Sequence, residues 1–277
     1  MEIRVLTTLE ECRAVAALER TVWGYTDSED VVPPPVLIVS IKRGGILIGA
    51  FDDEGEMKGF VYSIPGLKNG QLMQWSHMLG VTEDARNSGL GLQLKLAQRE
   101  RALAMGTDLV EWTFDPLQAL NAHLNFSKLG VVVEEYEENI YGESSSPLHY
   151  GSPTDRFVAE WRLTAPHVER RVAGQGVGLV RDASVGSAPL VNPSISTPDG
   201  LAPGPADLSR QDRRLLVEIP GHYAAMLTTD PPLAREWRMA TRQIFQHYFA
   251  QGYRAVDFFL ASDRSRGQYL LALTDGH

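Results

Sequence analysis

The chain has 277 residues, of which 43% are hydrophobic and 22% charged, enough for one large globular domain or two small ones. Acidic residues outnumber basic ones by 35 to 26, which argues against a nucleic-acid partner because phosphate binding requires a basic face. Cys12 is the single cysteine, and no apolar run is long enough for a membrane span or a signal peptide. We therefore expect a cytoplasmic protein without a membrane partner.

Six elements are predicted before residue 82. Thr8 and Glu11 have the spacing of a helix N-cap box, and the helix that follows carries Cys12 on its packing face. The six elements are a strand at 3–6, helices at 9–22 and 35–42, and strands at 46–51, 58–62 and 71–81.

A glycine turn joins the strand at 71–81 to a helix predicted at 90–105. It reads Arg86-Asn87-Ser88-Gly89-Leu90-Gly91. Two glycines allow a tight bend that leaves N–H groups converging at the positive end of the helix, so the spacing predicts either a pyrophosphate site or an ordinary tight turn. The third glycine of a dinucleotide fingerprint and the Lys-Ser or Lys-Thr pair of a Walker loop are missing.

The helix at 90–105 is predicted to turn one row of leucines toward the core and a row of charged residues toward water. The leucines are Leu92, Leu96 and Leu103, and the charged residues are Lys95, Arg99 and Glu100.

The remaining elements alternate between strands and helices. They are a strand at 109–114, a helix at 117–129 ended by Gly130, and strands at 131–136 and 156–163. Residues 182–206 contain five prolines and almost no charge, which predicts a linker or an irregular arm. A strand at 215–220, a helix at 233–251 and strands at 253–260 and 268–273 follow, and their order suggests a degenerate repeat of the first half.

Metal and hydrolase chemistry are poorly supported. The histidines are scattered without a His-x-x-x-His pair, and cysteine ligands are absent. No Gly-x-Ser-x-Gly elbow is present either. We expect no metal.

Leu79-Gly80-Val81-Thr82-Glu83 followed by Arg86-x-x-Gly89-x-Gly91 resembles the coenzyme A motif of the GNAT superfamily of N-acyltransferases. Segments at 112–117, 121–122 and 128–130 extend the resemblance, over about the first 165 residues, to a branch of predicted acetyltransferases. The resemblance implies an α+β (mixed α/β) GNAT fold with a central, mostly antiparallel, V-splayed sheet flanked by helices. We predict a GNAT domain at 1–165, an irregular linker at 166–206, and a C-terminal α/β half-GNAT-like subdomain at 207–277.

The resemblance also implies which residues hold coenzyme A. The strand backbone would pair with pantetheine, the turn amides would hold the pyrophosphate, and two residues after strand 109–114 would meet the distal end of the cofactor. The residues so assigned are Leu79, Gly80, Val81, Arg86, Asn87, Ser88, Gly89, Leu90, Gly91, Leu92, Asn121 and Lys128.

His77 is the first candidate for the general base. It stands nine residues before Arg86, a spacing at which arylalkylamine acetyltransferases of the superfamily carry a histidine implicated in amine deprotonation, and an imidazole pKa of about 6.5 suits that role. Glu111 and Glu83 are the alternatives, since a carboxylate can act through a water molecule. A lone histidine on a strand is also commonly a hydrogen-bonded core residue.

Phe126 departs from the family pattern, which has a tyrosine there to protonate the leaving thiolate. Tyr136 and Tyr141 are the alternative sources of a hydroxyl. The resemblance implies an N-acyltransferase that uses acetyl-CoA or succinyl-CoA and acts on a small-molecule amine or an amino acid. The alternative is a catalytically silent GNAT-fold module for coenzyme A binding or assembly, and a homodimer is left open.

Overall fold

The computed structural model of the protein describes residues 1–25, 27, 30–142, 151–174, 188–197 and 200–273. These residues form two compact units. Unit 1 contains 1–112 and 161–165, and unit 2 contains 113–142, 151–160 and 166–273, each with the gaps just given. In the described part of the chain, no helix is both long and apolar enough to cross a membrane.

Unit 1 is built on strands in the order β1-β2-β3-β4-β5. The first three pairings are antiparallel, and β4 and β5 pair in parallel. The strands are β1 (Glu2–Val5), β2 (Ile46–Phe51), β3 (Met57–Lys68), β4 (Gln71–Val81) and β5 (Leu109–Phe114), and the helices are α1 (Leu9–Trp23), α2 (Pro34–Ile41) and α3 (Leu90–Ala104). The unit boundary falls inside β5, after Trp112.

Helix α1 begins and ends where its sequence predicts. The Thr8 hydroxyl accepts the Glu11 N–H at 3.2 Å, and the Glu11 carboxylate accepts the Thr8 N–H at 2.9 Å, which completes the predicted capping box. Gly24 closes the helix in the left-handed conformation. Cys12 is fully buried, as predicted, in a core that α1 and α2 form with β2 and β3.

The predicted faces of α3 are wrong for most residues, although Glu100 is exposed as predicted. Its buried residues are Leu90, Leu94, Lys95, Gln98 and Ala102, whereas the three leucines expected in the core are only half-buried. Lys95, expected in water, is 2% exposed. Two of the buried residues, Lys95 and Gln98, are polar, and a hydrophobicity pattern assigns every lysine and glutamine to solvent. The pattern therefore does not reveal which side of α3 packs against the core.

Unit 2 has strands in the order β7-β6-β11-β12-β10, with antiparallel pairings throughout. These are β6 (Val132–Glu137), β7 (Arg156–Arg162), β10 (Arg214–Pro220), β11 (Tyr253–Leu260) and β12 (Arg266–Leu273), with a separate hairpin of β8 (Ile195–Thr197) and β9 (Gly200–Ala202). The helices are α4 (Ala119–Ala122), α5 (Pro166–Val172), α6 (Tyr223–Thr229) and α7 (Pro231–Ala250). The last two residues of β7 belong to unit 1.

Aromatic rings fill the core of unit 2. Phe157 lies 4.7 Å from Phe245 and 5.4 Å from Tyr269, measured between ring centres, and these rings meet at steep angles. Such edge-to-face contacts add to the stabilisation from burial alone.

Two predicted elements are corrected in unit 2. The helix expected at 117–129 is a short α-helix, α4, followed by a π-helical segment, His123–Leu129, which Gly130 ends in the left-handed conformation. The segment expected to be an irregular linker contains α5 and the β8–β9 hairpin, and its residues 175–187 and 198–199 lie outside the described residues. The predicted fold class, mixed α/β with a mostly antiparallel sheet and a C-terminal α/β extension, is confirmed. The predicted domain boundaries stay predictions.

Candidate active site

The site begins where β4 and β5 separate. The two strands pair at Gln74 with Val110 and at Trp75 with Glu111. Residues 76–81, all described, form no further pair with β5, although Leu79, Gly80 and Val81 keep their antiparallel partners on β3. One edge of β4 therefore presents unpaired backbone groups, to which an extended ligand can add as a strand would.

His77 is the extra residue of a β-bulge on β4. Tyr62 pairs with Met78 and Ser63 pairs with Ser76, so no residue of β3 lies opposite His77. Bulges re-aim a side chain and are frequent beside active sites. The bulged residue lies two residues beyond Trp75, which is in the last pair between β4 and β5.

The environment of His77 favours a neutral imidazole. The side chain is accessible to solvent, but surrounding protein displaces part of its water, and this desolvation lowers the pKa of His77 below 6.5. The ring meets Tyr62 edge-on, with 6.1 Å between ring centres. A neutral, accessible imidazole can accept a proton near neutral pH.

The turn between β4 and α3 forms an amide cradle, residues 87–92. Asn87 and Gly89 have φ values of 62° and 89°, so both take the left-handed conformation that Gly adopts without strain and Asn tolerates. Within the described residues, the backbone N–H groups of Asn87, Ser88, Gly89, Gly91 and Leu92 have no protein acceptor. Such amides, together with the helix dipole, provide the donors and the positive potential that a phosphate group needs.

Charges around the amide cradle also suit an anion. Arg86 is exposed, and the first turn of α3 carries no acidic residue. Asp84, the nearest preceding carboxylate, lies 3.2 Å from the Lys58 ammonium, which it shares with Asp52 and Glu56. Gly80, by contrast, is explained by packing, since a Cβ there would lie 2.9 Å from the Phe60 ring.

The two predicted carboxylate bases lie in different surroundings. Glu111 is buried, belongs to the last β4–β5 pair and forms an ion pair with Lys68. Glu83 is exposed in a short 3₁₀ turn, Glu83–Ala85, beyond the end of β4. At about 3.3 Å per residue, that end lies roughly 13 Å from His77. Of the three candidate bases, His77 is thus the one that is both exposed and next to the point where β4 and β5 diverge.

Asn121, Phe126 and Lys128 belong to unit 2. Asn121 is exposed on α4, and Lys128 is half-buried in the π-helical segment. Phe126 is fully buried, with its ring 5.6 Å from Tyr269 and 6.2 Å from Phe114, centre to centre. Its position is thus filled by core packing.

The two alternative hydroxyl donors differ in availability. Tyr136 donates its hydroxyl proton to Asp155 at 2.5 Å, and burial together with this carboxylate raises the pKa of Tyr136. Tyr141 is exposed and shares a hydrogen bond of 2.7 Å with the Thr113 hydroxyl. Tyr141 keeps the more accessible proton.

Lys95 is the polar residue of the site region that sequence reasoning missed. Its Nζ lies 3.1 Å from Ser76 Oγ, next to the bulge, and 3.6 Å from the ring centre of Trp112 on β5. Neither contact has a signal in the sequence, since both depend on how α3 packs on the sheet. Among the described residues, no three His, Cys, Asp or Glu side chains are grouped to hold a metal ion.

Comparison with known proteins finds similarity in structure alone. No protein-family model matches the chain. No curated protein matches its sequence. A GNAT-family acetyltransferase from Streptococcus pneumoniae is 18% identical, with 57% of this chain and 98% of that chain covered and a TM-score of 0.46.

Two further solved structures are similar. The Salmonella typhimurium acetyltransferase yncA, solved with its cofactor acetyl-CoA, is 15% identical over 60% of this chain and 95% of that chain, with a TM-score of 0.48. A GNAT-family acetyltransferase from Desulfovibrio desulfuricans is 14% identical over 58% and 98% of the two chains, with a TM-score of 0.44. Of these three solved structures, those from Streptococcus pneumoniae and Desulfovibrio desulfuricans are named as GNAT-family acetyltransferases, and yncA is named as an acetyltransferase.

Proposed function

We propose that the protein is a coenzyme A-dependent N-acyltransferase that moves an acetyl or succinyl group from the thioester to the amine of a small molecule or an amino acid. The observation that supports this most is the amide cradle: five N–H groups that have no acceptor among the described residues, at the start of a helix, next to an unpaired strand edge. A diphosphate followed by an extended arm fits this combination of anion receptor and strand edge.

The unpaired edge of β4 receives the pantetheine arm and carries the thioester toward the bulge. There the amine nitrogen attacks the carbonyl carbon, so that the new C–N bond forms as the C–S bond breaks. His77 takes the proton that the nitrogen loses, and the sulfur leaves as a thiolate. A thiol with a pKa of about 8.5 leaves readily in this form, and so the reaction does not require a hydroxyl at the Phe126 position.

Thiol release tests the proposal. The full chain is mixed with acetyl-CoA or succinyl-CoA and a panel of small amines and amino acids, and free coenzyme A is measured with a thiol reagent. We expect release that depends on both the thioester and one class of amine. Release that is the same with and without any amine would indicate thioester hydrolysis and would contradict the proposal.

Thermal stability in the presence of each thioester identifies the donor. A ligand that binds only the folded protein raises its midpoint, and at 100 times its Kd the gain is about 2.7 kcal/mol. We expect the physiological donor to raise the midpoint more than free coenzyme A does. Equal shifts would mean that the acyl group makes no contact of its own.

The second candidate function is a catalytically silent module that binds coenzyme A. The buried, hydroxyl-free Phe126 and the Tyr136 proton held by Asp155 favour it, since neither side chain is available to give a proton to a leaving thiolate. Measurable coenzyme A binding without thiol release for any pair would support this candidate over the enzyme.

A further inference from the structure

Lys95 is a buried amine without a counter-ion. Its side chain is 2% exposed, and no carboxylate among the described residues lies within ion-pair distance of it. Its Nζ donates to Ser76 Oγ at 3.1 Å and to Gln98 Oε1 at 2.8 Å. It also faces two indole rings, at 3.6 Å from the centre of Trp112 and 5.5 Å from that of Trp161.

The Lys95 amine lies in unit 1 at the point where β4 and β5 cease to pair. Trp75 and Glu111 form the last pair between β4 and β5, and the next residue on each strand is Ser76 and Trp112. Lys95 contacts both of these residues. Its side chain therefore links the two strands at the first position where their backbones no longer do so.

The fold does not need Lys95 for hydrogen bonding. Ser76 and Gln98 also bond to each other, with Gln98 Nε2 donating to Ser76 Oγ at 3.0 Å, so neither would be orphaned without the lysine. Burial costs the amine its water, and the pKa of Lys95 is lowered well below its usual value by this desolvation. A buried group that costs stability and that its neighbours do not need for hydrogen bonding is typical of functional sites.

We propose that Lys95 is a positioning residue for acyl transfer: through Ser76 and Trp112 it sets the distance between β4 and β5 where they diverge. That distance fixes where the thioester lies relative to His77, one residue from Ser76 on the same strand. This inference rests on the proposed function, since it concerns the transfer step. Small displacements of reacting groups are costly, about 100-fold for roughly 1 Å.

The test is Lys95→Met in the full chain. Met keeps the length of the side chain, and we expect no loss of thermal stability because an unpaired buried amine is replaced by an apolar group. We expect kcat to fall by at least about tenfold, while the Kd for acyl-CoA, which depends on the amide cradle, changes by less than about threefold. The control is Arg101→Met, which removes a cation from an exposed position on the same helix and should change neither.

Should Lys95→Met fail to fold, Ser76→Ala tests the same link by itself: we expect kcat to fall while the Kd for acyl-CoA stays that of the wild type, and an unchanged kcat overturns the inference. If Lys95 acts through Ser76, the two substitutions are non-additive, and the double variant is about as slow as Lys95→Met alone.

A folded Lys95→Met variant with the kcat of the wild type overturns the inference and leaves the proposed function intact. Equal losses in kcat, cofactor affinity and thermal stability would also overturn it, because they indicate a structural role. Absence of turnover in the wild type, with coenzyme A still bound, would overturn the proposed function itself.

Discussion

Glu19 on α1 accepts the backbone N–H of Val32 through both carboxylate oxygens, at 3.2 and 3.3 Å. The side chain is 1% exposed, and burial raises the pKa of Glu19 to about 7, against the smaller opposing effects of the Val32 hydrogen bond and Arg20. The helix is thereby joined to the residues that lead into α2 by a carboxyl group that titrates near neutral pH.

Glu19→Gln should remove a pH dependence of stability. Between pH 4.5 and 7 the unfolded chain has lost the Glu19 proton while the folded chain retains it, so the free energy of unfolding falls as pH rises, by up to about 3 kcal/mol. Gln keeps an acceptor for Val32 without a charge. We expect Glu19→Gln to be more stable than the wild type at pH 8 and similar at pH 4.5, measured by chemical denaturation. Glu10→Gln, exposed on the same helix, is the control, and a variant less stable than the wild type at pH 8 would contradict the prediction.

Gly89→Ala should weaken coenzyme A binding through the backbone. Gly89 has a φ of 89°, which alanine adopts with strain, so the amide cradle must shift. Gly70→Ala is a matched control, with a φ of 78° in the β3–β4 turn and open space at its Cβ. We expect both variants to lose about 1 kcal/mol of stability, but only Gly89→Ala to lose affinity, by tenfold or more at roughly 1.4 kcal/mol per factor of ten. Calorimetric titration with coenzyme A checks this, and equal affinities would show that the amide cradle does not bind the cofactor.

His77→Asn should slow the transfer and flatten its pH profile. If His77 accepts the proton of the amine, kcat falls by about 100-fold or more. Because desolvation lowers the pKa of His77, kcat of the wild type should rise with pH through a midpoint below 6.5 and then level off. The variant should lack this rise. His222→Asn changes an exposed histidine and should keep the rise of kcat with pH. An unchanged pH profile in His77→Asn would assign the base to another residue.

Arg238→Met should destabilise unit 2. Arg238 is 1% exposed and contacts both carboxylate oxygens of Asp115, at 2.8 and 2.6 Å. Although burial acts to raise the pKa of Asp115, Arg238 holds it below its usual value. Removing the guanidinium leaves the buried carboxylate without its closest counter-charge. This should lower the free energy of unfolding by about 3–5 kcal/mol. Adding Asp115→Asn should recover much of the loss in denaturation measurements, and Arg235→Met, exposed on the same helix, should lose little.

Most elements were predictable because their signals are local. The capping box of Thr8 and Glu11, the left-handed glycines at 89 and 130, and the apolar runs of the long strands act over a few residues. The short helices α5 and α6 were missed, since seven residues offer too few turns for a hydrophobic stripe to be recognised.

The site was predictable only in part, because its decisive features are relations between distant segments. His77 was proposed from the sequence, but its bulge depends on the register between β3 and β4. Lys95 was assigned to the surface because a hydrophobicity pattern treats every lysine as polar. In the structure its side chain is buried. The amide cradle was foreseeable, because turn and helix start are adjacent in the chain.

The wider turns of His123–Leu129 separate Asn121 from Lys128 around the helix axis. In an uninterrupted α-helix, residues seven apart lie nearly in line, since two turns take about seven residues. Hydrogen bonds between residues i and i+5 place more residues in each turn than an α-helix has, so Lys128 is rotated out of that line. In keeping with this, Asn121 is exposed and Lys128 is half-buried. A bound molecule that approaches this helix from one direction therefore meets Asn121 and Lys128 at different angles around the helix axis, and their assignment as coenzyme A contacts stays a prediction.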